Sequence, residues 1–239
     1  MRIQAANKDE LFRELKALIP TVSPRGLSRS KEETEPWVVH RLLPTIAECG
    51  VLDFPLTAEV RLPPEDRPDV YISSASGEIG IEVIEAVSQW LAEAHAIRNK
   101  HYPNAAISRF MFPKGYTPTA KEIHKKLKAG SQTSPELPWH GDSVEQDWAE
   151  HVDQAIAKKV DARAKPGFKQ YDRNWLAVYS SHPGPALKLD KGFKFVQGWP
   201  FALKDGCFDR LYLLTDMKML IVDRSGSRAV NPYVVEPDA

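Results

Sequence analysis

The chain predicts an α/β protein: a mixed β-sheet flanked by helices, with a helical insertion. Three observations carry this. Residues 69–84 alternate as a β-hairpin, with side chains two apart sharing a face. Apolar residues recur at helical spacing over 7–19, 35–50 and 144–164. Residues 175–179, Trp-Leu-Ala-Val-Tyr, form the short apolar run of a strand buried on both faces.

Composition narrows the class. At 239 residues the chain can bury one good core or one core with a decorated insertion. Lys and Arg number 32 and Asp and Glu 32, so a globally basic nucleic-acid binder is excluded and any basic surface is local. Cys49 and Cys207 stand far apart and offer neither a disulfide framework nor metal-finger spacing. With no signal-type apolar run at the start and no stretch near the ~18 apolar residues of a membrane helix, the expectation is a cytoplasmic protein.

Taken in order, Asn7 and Glu10 form a capping pattern, and Leu11, Phe12, Leu15, Leu18 and Ile19 mark an amphipathic helix that Pro20 stops. Residues 20–31 are a loop, mildly basic through Arg25, Arg29 and Lys31, so that 1–31 reads as an N-terminal helix and loop ahead of one α/β domain over 32–239. A second helix is expected from about Glu35-Pro36, with Val38, Val39, Leu42, Leu43 and Ile46 inside, Gly50 at its end and a kink or break at Pro44. Glu33 and Glu35 suit its N-terminal dipole. A strand follows over 57–62, then the hairpin: strand 69–73, turn 74–78, strand 79–84.

After residue 86 the pattern turns helical to about residue 100, with His95 and His101 expected on the helix surface or at its end. Residues 119–129 form a short basic helix whose lysines suit a solvated face. We read about 86–142 as an insertion. Ser143, with Gln146 three residues on, is the expected cap of a helix over 144–164. Trp148, Val152, Ala155, Ile156, Lys159 and Val160 share its stripe, which sets Lys159 at the border of the buried side. Past the strand at 175–179, Ser180, Ser181 and His182 occupy a loop of the kind that lines sites in α/β sheets, though no G-x-S-x-G elbow accompanies them. Residues 186–207 interleave aromatics and lysines, as a small satellite core or a strand-clamping surface would. Residues 208–215 and 218–222 are joined too briefly for a parallel crossover and should form a hairpin; the tail from about residue 225 is polar and loop-like, with Val230 and residues 233–235 as an edge strand or a docking segment.

Two features carry chemistry. Glu82 lies on a strand among Ile81, Val83 and Ile84, where a carboxylate needs a cation or a hydrogen-bond set. Asp69, at the start of the paired strand, is placed to lie beside it, and two carboxylates begin a hard-metal site. A surface strand with a polar face is the plainer alternative. Over residues 158–173, Lys158, Lys159, Arg163, Lys165, Lys169 and Arg173 face only Asp161 and Asp172, as a phosphate-attracting ridge or a solvated helix face would.

Pro68-Asp69 and Glu82-Val83-Ile84, in this order of elements, resemble the PD-(D/E)XK nuclease superfamily over about residues 33–222. The resemblance extends to a looser set of bacterial and phage proteins, matched here by Gly80-Ile81-Glu82-Val83-Ile84-Glu85, Ile156, Lys159, Tyr171 and the strand from Trp175. It implies a restriction-endonuclease-like sheet and a nuclease acting on DNA, with RNA as a second possibility, in phage defence or mobile-element biology. It implies Mg²⁺ or Mn²⁺ held by Asp69, Glu82 and the Val83 carbonyl, and a homodimer as one arrangement. The family places a Lys two residues after the Glu; here that residue is Ile84. Within the superfamily the Lys can come from a neighbouring element, and Lys159 is the first choice for that role and Lys158 the second. Glu85 is a third carboxylate, directed away from Glu82 by alternation unless the strand bulges. Glu33 or Glu35 can approach the site, as first-helix acids do in the superfamily. The alternative is a catalytically inactive domain of this fold that binds nucleic acid or a partner protein.

Overall fold

The structure, a computed structural model, describes residues 1–18, 20, 31–61, 68–107, 111–112, 116–130, 141–165, 168–180, 187–204, 206–233 and 235, without the side chains of residues 31, 89, 201 and 204. The expectations on Ile19, Arg25, Arg29, Ser181 and His182 lie outside these residues.

Eight strands form one mixed sheet in sequence order: β1 (Arg2–Ala5), β2 (Leu56–Val60), β3 (Val70–Ser74), β4 (Gly77–Glu85), β5 (Arg173–Tyr179), β6 (Arg210–Leu214), β7 (Met219–Asp223) and β8 (Gly226–Val230). The pairs β4–β5 and β5–β6 are parallel and the rest antiparallel. Helices α1 (Lys8–Ala17) and α2 (Lys31–Glu48) precede β2; α3 (Gln89–His101), α4 (Ala120–Lys128) and α5 (Ser143–Arg163) lie between β4 and β5; α6 (Leu189–Phe195) and α7 (Trp199–Lys204) lie between β5 and β6. Parallel neighbours need such long crossovers, whereas β3–β4, β6–β7 and β7–β8 turn back in hairpins.

The sheet separates two cores, and strand alternation assigns each residue. Ile79, Ile81, Val83, Trp175, Ala177 and Tyr179 join Leu11, Leu15, Val38, Leu42 and Ile46 on the α1–α2 side. Leu176, Val178, Leu211 and Leu213 join Trp148, Val152 and Ile156 on the α5 side, with Ile84 packed against them. The central strand β5 is apolar on both faces because both are covered, as its composition indicates. Phe193, Phe195 and Trp199 pack on the main α5-side core and do not form a satellite core of their own. The inserted α3 and α4 have a small core of their own, built on Ala94, Met111, Phe112, Ile123 and Leu127.

Several details differ from expectation. β1 pairs with β2 at Ile3↔Ala58; four residues with Arg2 and Gln4 outward carry too little pattern to read as a strand. In α1, Asn7 accepts from Glu10 N at 2.9 Å, while Glu10 reaches Ala6 N. α2 runs unbroken through Pro44, because Val39, Leu42, Leu43 and Ile46 on both sides of it are buried and hold the helix in place. The β3–β4 turn is two residues, Ala75-Ser76, and Gly77 follows at φ +110°, open to glycine. Asp142, not Ser143, takes the cap position of α5, without a side-chain bond. Thr119 and Glu122 form a full capping box at α4. Among the described residues no helix is long and apolar enough to cross a membrane.

Candidate active site

Register brings the two acids together. β3 and β4 pair at Val70↔Ile81, so one step further sets Asp69 beside Glu82. There the backbone ladder gives way to a side chain: Val83 N–H donates to Asp69 Oδ2 at 2.7 Å. Glu82 shares its sheet face with Gly80 and Ile84, the face that α5 covers. The helical stripe of α5 then delivers Lys159 onto it. Its Nζ donates to Asp69 Oδ2 at 2.8 Å and to Glu82 Oε2 at 2.6 Å. Both oxygens touch one nitrogen, so they are within about 5.4 Å of each other.

The cluster is nearly closed to water: side-chain exposure is 3% for Asp69, 8% for Glu82 and 16% for Lys159. Burial alone pushes the Lys159 ammonium down, but Asp69 and Glu82 more than reverse this and hold its pKa above the usual lysine value. Lys159 is therefore a cation at neutral pH, a hydrogen-bond donor and not a base. An ammonium has three donors, and Asp69 and Glu82 take two.

Two carboxylates meeting one ammonium bring hard oxygens together at one point. Among the described residues no group of three His, Cys, Asp or Glu side chains forms a metal cage. Mg²⁺ needs only one or two protein carboxylates, keeping waters and substrate phosphates as its other ligands. Asp69 and Glu82 fit that requirement.

Close packing supports the acids. A Cβ on Gly80 would fall 2.4 Å from Tyr171 Cδ2, so the Tyr171 ring lies directly on the strand two residues before Glu82. Tyr171 also stands 5.7 Å from the Tyr71 ring of β3. Arg173 donates to Ser76 in the hairpin turn at 2.6 Å and pairs with Asp53 at 3.5 Å.

The remaining candidates scatter. Lys158 is exposed on α5, one position away from the inward stripe. Glu85 ends β4, and its charge is felt at His95, whose pKa is lowered by burial and by Arg98 and raised by Glu85. Glu35 is buried in α2 and Glu33 half-buried. Over 158–173 the expected ridge is not one surface. Lys165 and Lys169 are exposed, but Arg163 is buried, its guanidinium 5.1 Å from the Phe168 ring and 5.0 Å from the Phe208 ring and bonded to Gln170. Arg163 lies one turn beyond Lys159 and feels the Glu82 charge, an i+4 relation visible in the sequence only once Glu82 is known to face α5. Ser180 accepts from the Trp148 indole at 2.9 Å, a bond that holds α5 to the end of β5. Two open depressions, about 430 Å³ beside Glu10 and Ser74 and about 580 Å³ beside Asp153 and Gln197, are not lined by Asp69, Glu82 or Lys159.

Comparisons of the chain with protein-family models, with curated proteins and with solved structures give no match.

Proposed function

We infer that the chain is a Mg²⁺- or Mn²⁺-dependent nuclease of PD-(D/E)XK type, with a restriction-endonuclease-like fold, that hydrolyses DNA phosphodiester bonds in phage defence or mobile-element biology. The observation that supports this is the Lys159 amine, within hydrogen-bond reach of both Asp69 and Glu82 although the strand itself has Ile84. Ile84 packs into the α5-side core, and the helix over that core returns a lysine to the acids.

Asp69, Glu82 and the Val83 carbonyl would hold the metal. A bound Mg²⁺ supplies Lewis acidity toward the scissile phosphate and a water of lowered pKa. Asp69 is oriented for its part by the Val83 amide. Lys159, kept charged, directs its third donor to a water or a phosphoryl oxygen and offsets charge there.

A second reading also has an observation behind it. The Lys159 amine lies where both carboxylates converge, as it would in a structural ion cluster of a non-catalytic domain. The two separate in one assay: plasmid, linear and single-stranded DNA with Mg²⁺ or Mn²⁺, using wild type, Glu82→Ala and Lys159→Met. The nuclease reading expects cleavage by wild type and background in both variants. Equal cleavage by wild type and Glu82→Ala would mean contamination and sink the reading.

A further inference from the structure

The chain has as many acids as bases, but they are not evenly spread. Residues 98–130 hold eight Lys and Arg against one carboxylate, Glu122, leaving 24 against 31 elsewhere. Two of the eight, Arg109 and Lys114, lie outside the described residues. On α4, Ile123 and Leu127 are buried in the insertion's own core, which turns Lys121, Lys125 and Lys128 outward at i, i+4 and i+7. That is a stripe of about 10 Å on one helix face. Lys100, at the end of α3, is exposed too, and Tyr102 OH meets His124 Nδ1 at 3.2 Å, which fixes the end of α3 beside the middle of α4. None of these four lysines forms a salt bridge with a described residue.

Flat rings accompany the charge. Tyr116 is 43% exposed, stacked on Phe112 with centroids 5.9 Å apart, and its hydroxyl is tied to Glu122 at the first turn of α4. The exposed His101 ring lies 5.2 Å from that of His124. Lysines outside any described salt bridge, on one stripe next to an exposed, braced aromatic ring, are what a single strand of nucleic acid requires: cations for the phosphates and a face on which a base can stack. A duplex hides its base faces and would use the lysines alone. An anionic membrane is disfavoured, since the apolar face of α4 is already buried.

We propose that the α3–α4 insertion is a single-stranded DNA-binding arm, with Lys121, Lys125 and Lys128 on the backbone and Tyr116 stacking on a base. The proposal rests on the nuclease reading for the fate of the captured strand, but binding itself needs neither metal nor the Asp69–Glu82 pair.

The test is fluorescence anisotropy of the full chain with labelled 30-nucleotide single-stranded DNA in EDTA, over a salt series, with a 30-base-pair duplex and single-stranded RNA as competitors. The combined Lys121→Ala, Lys125→Ala, Lys128→Ala variant should bind about tenfold more weakly, with the slope of log K against log salt reduced by about 2. Tyr116→Ala should lose about tenfold and Tyr116→Phe should retain wild-type binding. An unchanged salt slope in the triple variant overturns the proposal, as does a duplex or RNA that competes better than single-stranded DNA, or binding to anionic vesicles but not to DNA. Circular dichroism melts check that the variants fold. Glu82→Ala in the same assay keeps the two readings apart: wild-type affinity there, together with no cleavage by wild type in Mg²⁺, leaves the arm standing and removes the nuclease.

Discussion

Lys159 and Lys125 carry the same ammonium on amphipathic helices, yet the fold uses them in opposite ways. Lys159 lies on the inward stripe of α5, 16% exposed, shared by two carboxylates. Lys125 lies on the outward stripe of α4, exposed and without a described salt bridge. A buried charge is tied to its partners, because desolvation makes it costly without them. An exposed charge costs the fold little and stays available to whatever diffuses past. One face of the protein therefore contains charge that the fold depends on, and another contains charge that the fold can lose.

The sharpest way to break this contrast is Lys159→Met. It leaves Asp69 and Glu82 buried without their shared cation, and breaking such a group costs about 3–5 kcal/mol. Urea denaturation at pH 7 should show a loss of that size, read as the drop in midpoint multiplied by the slope m; an unchanged midpoint would mean the acids take another cation. The same variant gives a pH signature. The Lys159 pKa is raised on folding, so its contribution is complete below the unfolded value, about 10.4, and lost as pH rises through the folded value. The stability gap between wild type and Lys159→Met should be level from pH 7 to about 10 and narrow above that.

Gly80→Ala comes next. The new Cβ would meet the Tyr171 ring at 2.4 Å, and overpacking of this kind costs about 1–3 kcal/mol, read in the same denaturation experiment. Ser180→Ala leaves the buried Trp148 indole N–H without its acceptor, for a loss of about 1–3 kcal/mol and a lower thermal midpoint. Smallest of all, Lys125→Ala should move stability by no more than about 0.5 kcal/mol. A larger loss there would place Lys125 among the charges that the fold needs and erase the contrast.

The hairpin, the α5 stripe and the buried β5 strand could all be read from periodicity, since alternation of two and 3.6 is a local property of the chain. The placement of Glu82 opposite the Ile81 and Val83 face comes from the same count. β1 escaped because four residues with two exposed have no period to detect, and its strand character comes from pairing with β2. Pro44 misled because local propensity says break, while the buried residues around it hold α2 together. Arg163 misled for a related reason: composition shows a cation among cations, and only the Phe168 and Phe208 rings explain why it is buried.

Local pattern thus sufficed to place two acids at the end of a hairpin and to mark Lys159 as bordering a buried face. Whether they meet was beyond it, because 77 residues separate Lys159 from Glu82 and 90 separate it from Asp69. Contact over that span depends on where the crossover sets α5 on the sheet, and packing of Trp148, Val152 and Ile156 against β5 and β6 decides that. The outward lysines of α4 are the reverse case. The chain states their spacing plainly, but only the insertion's separate core, which buries Ile123 and Leu127, determines that they face outward.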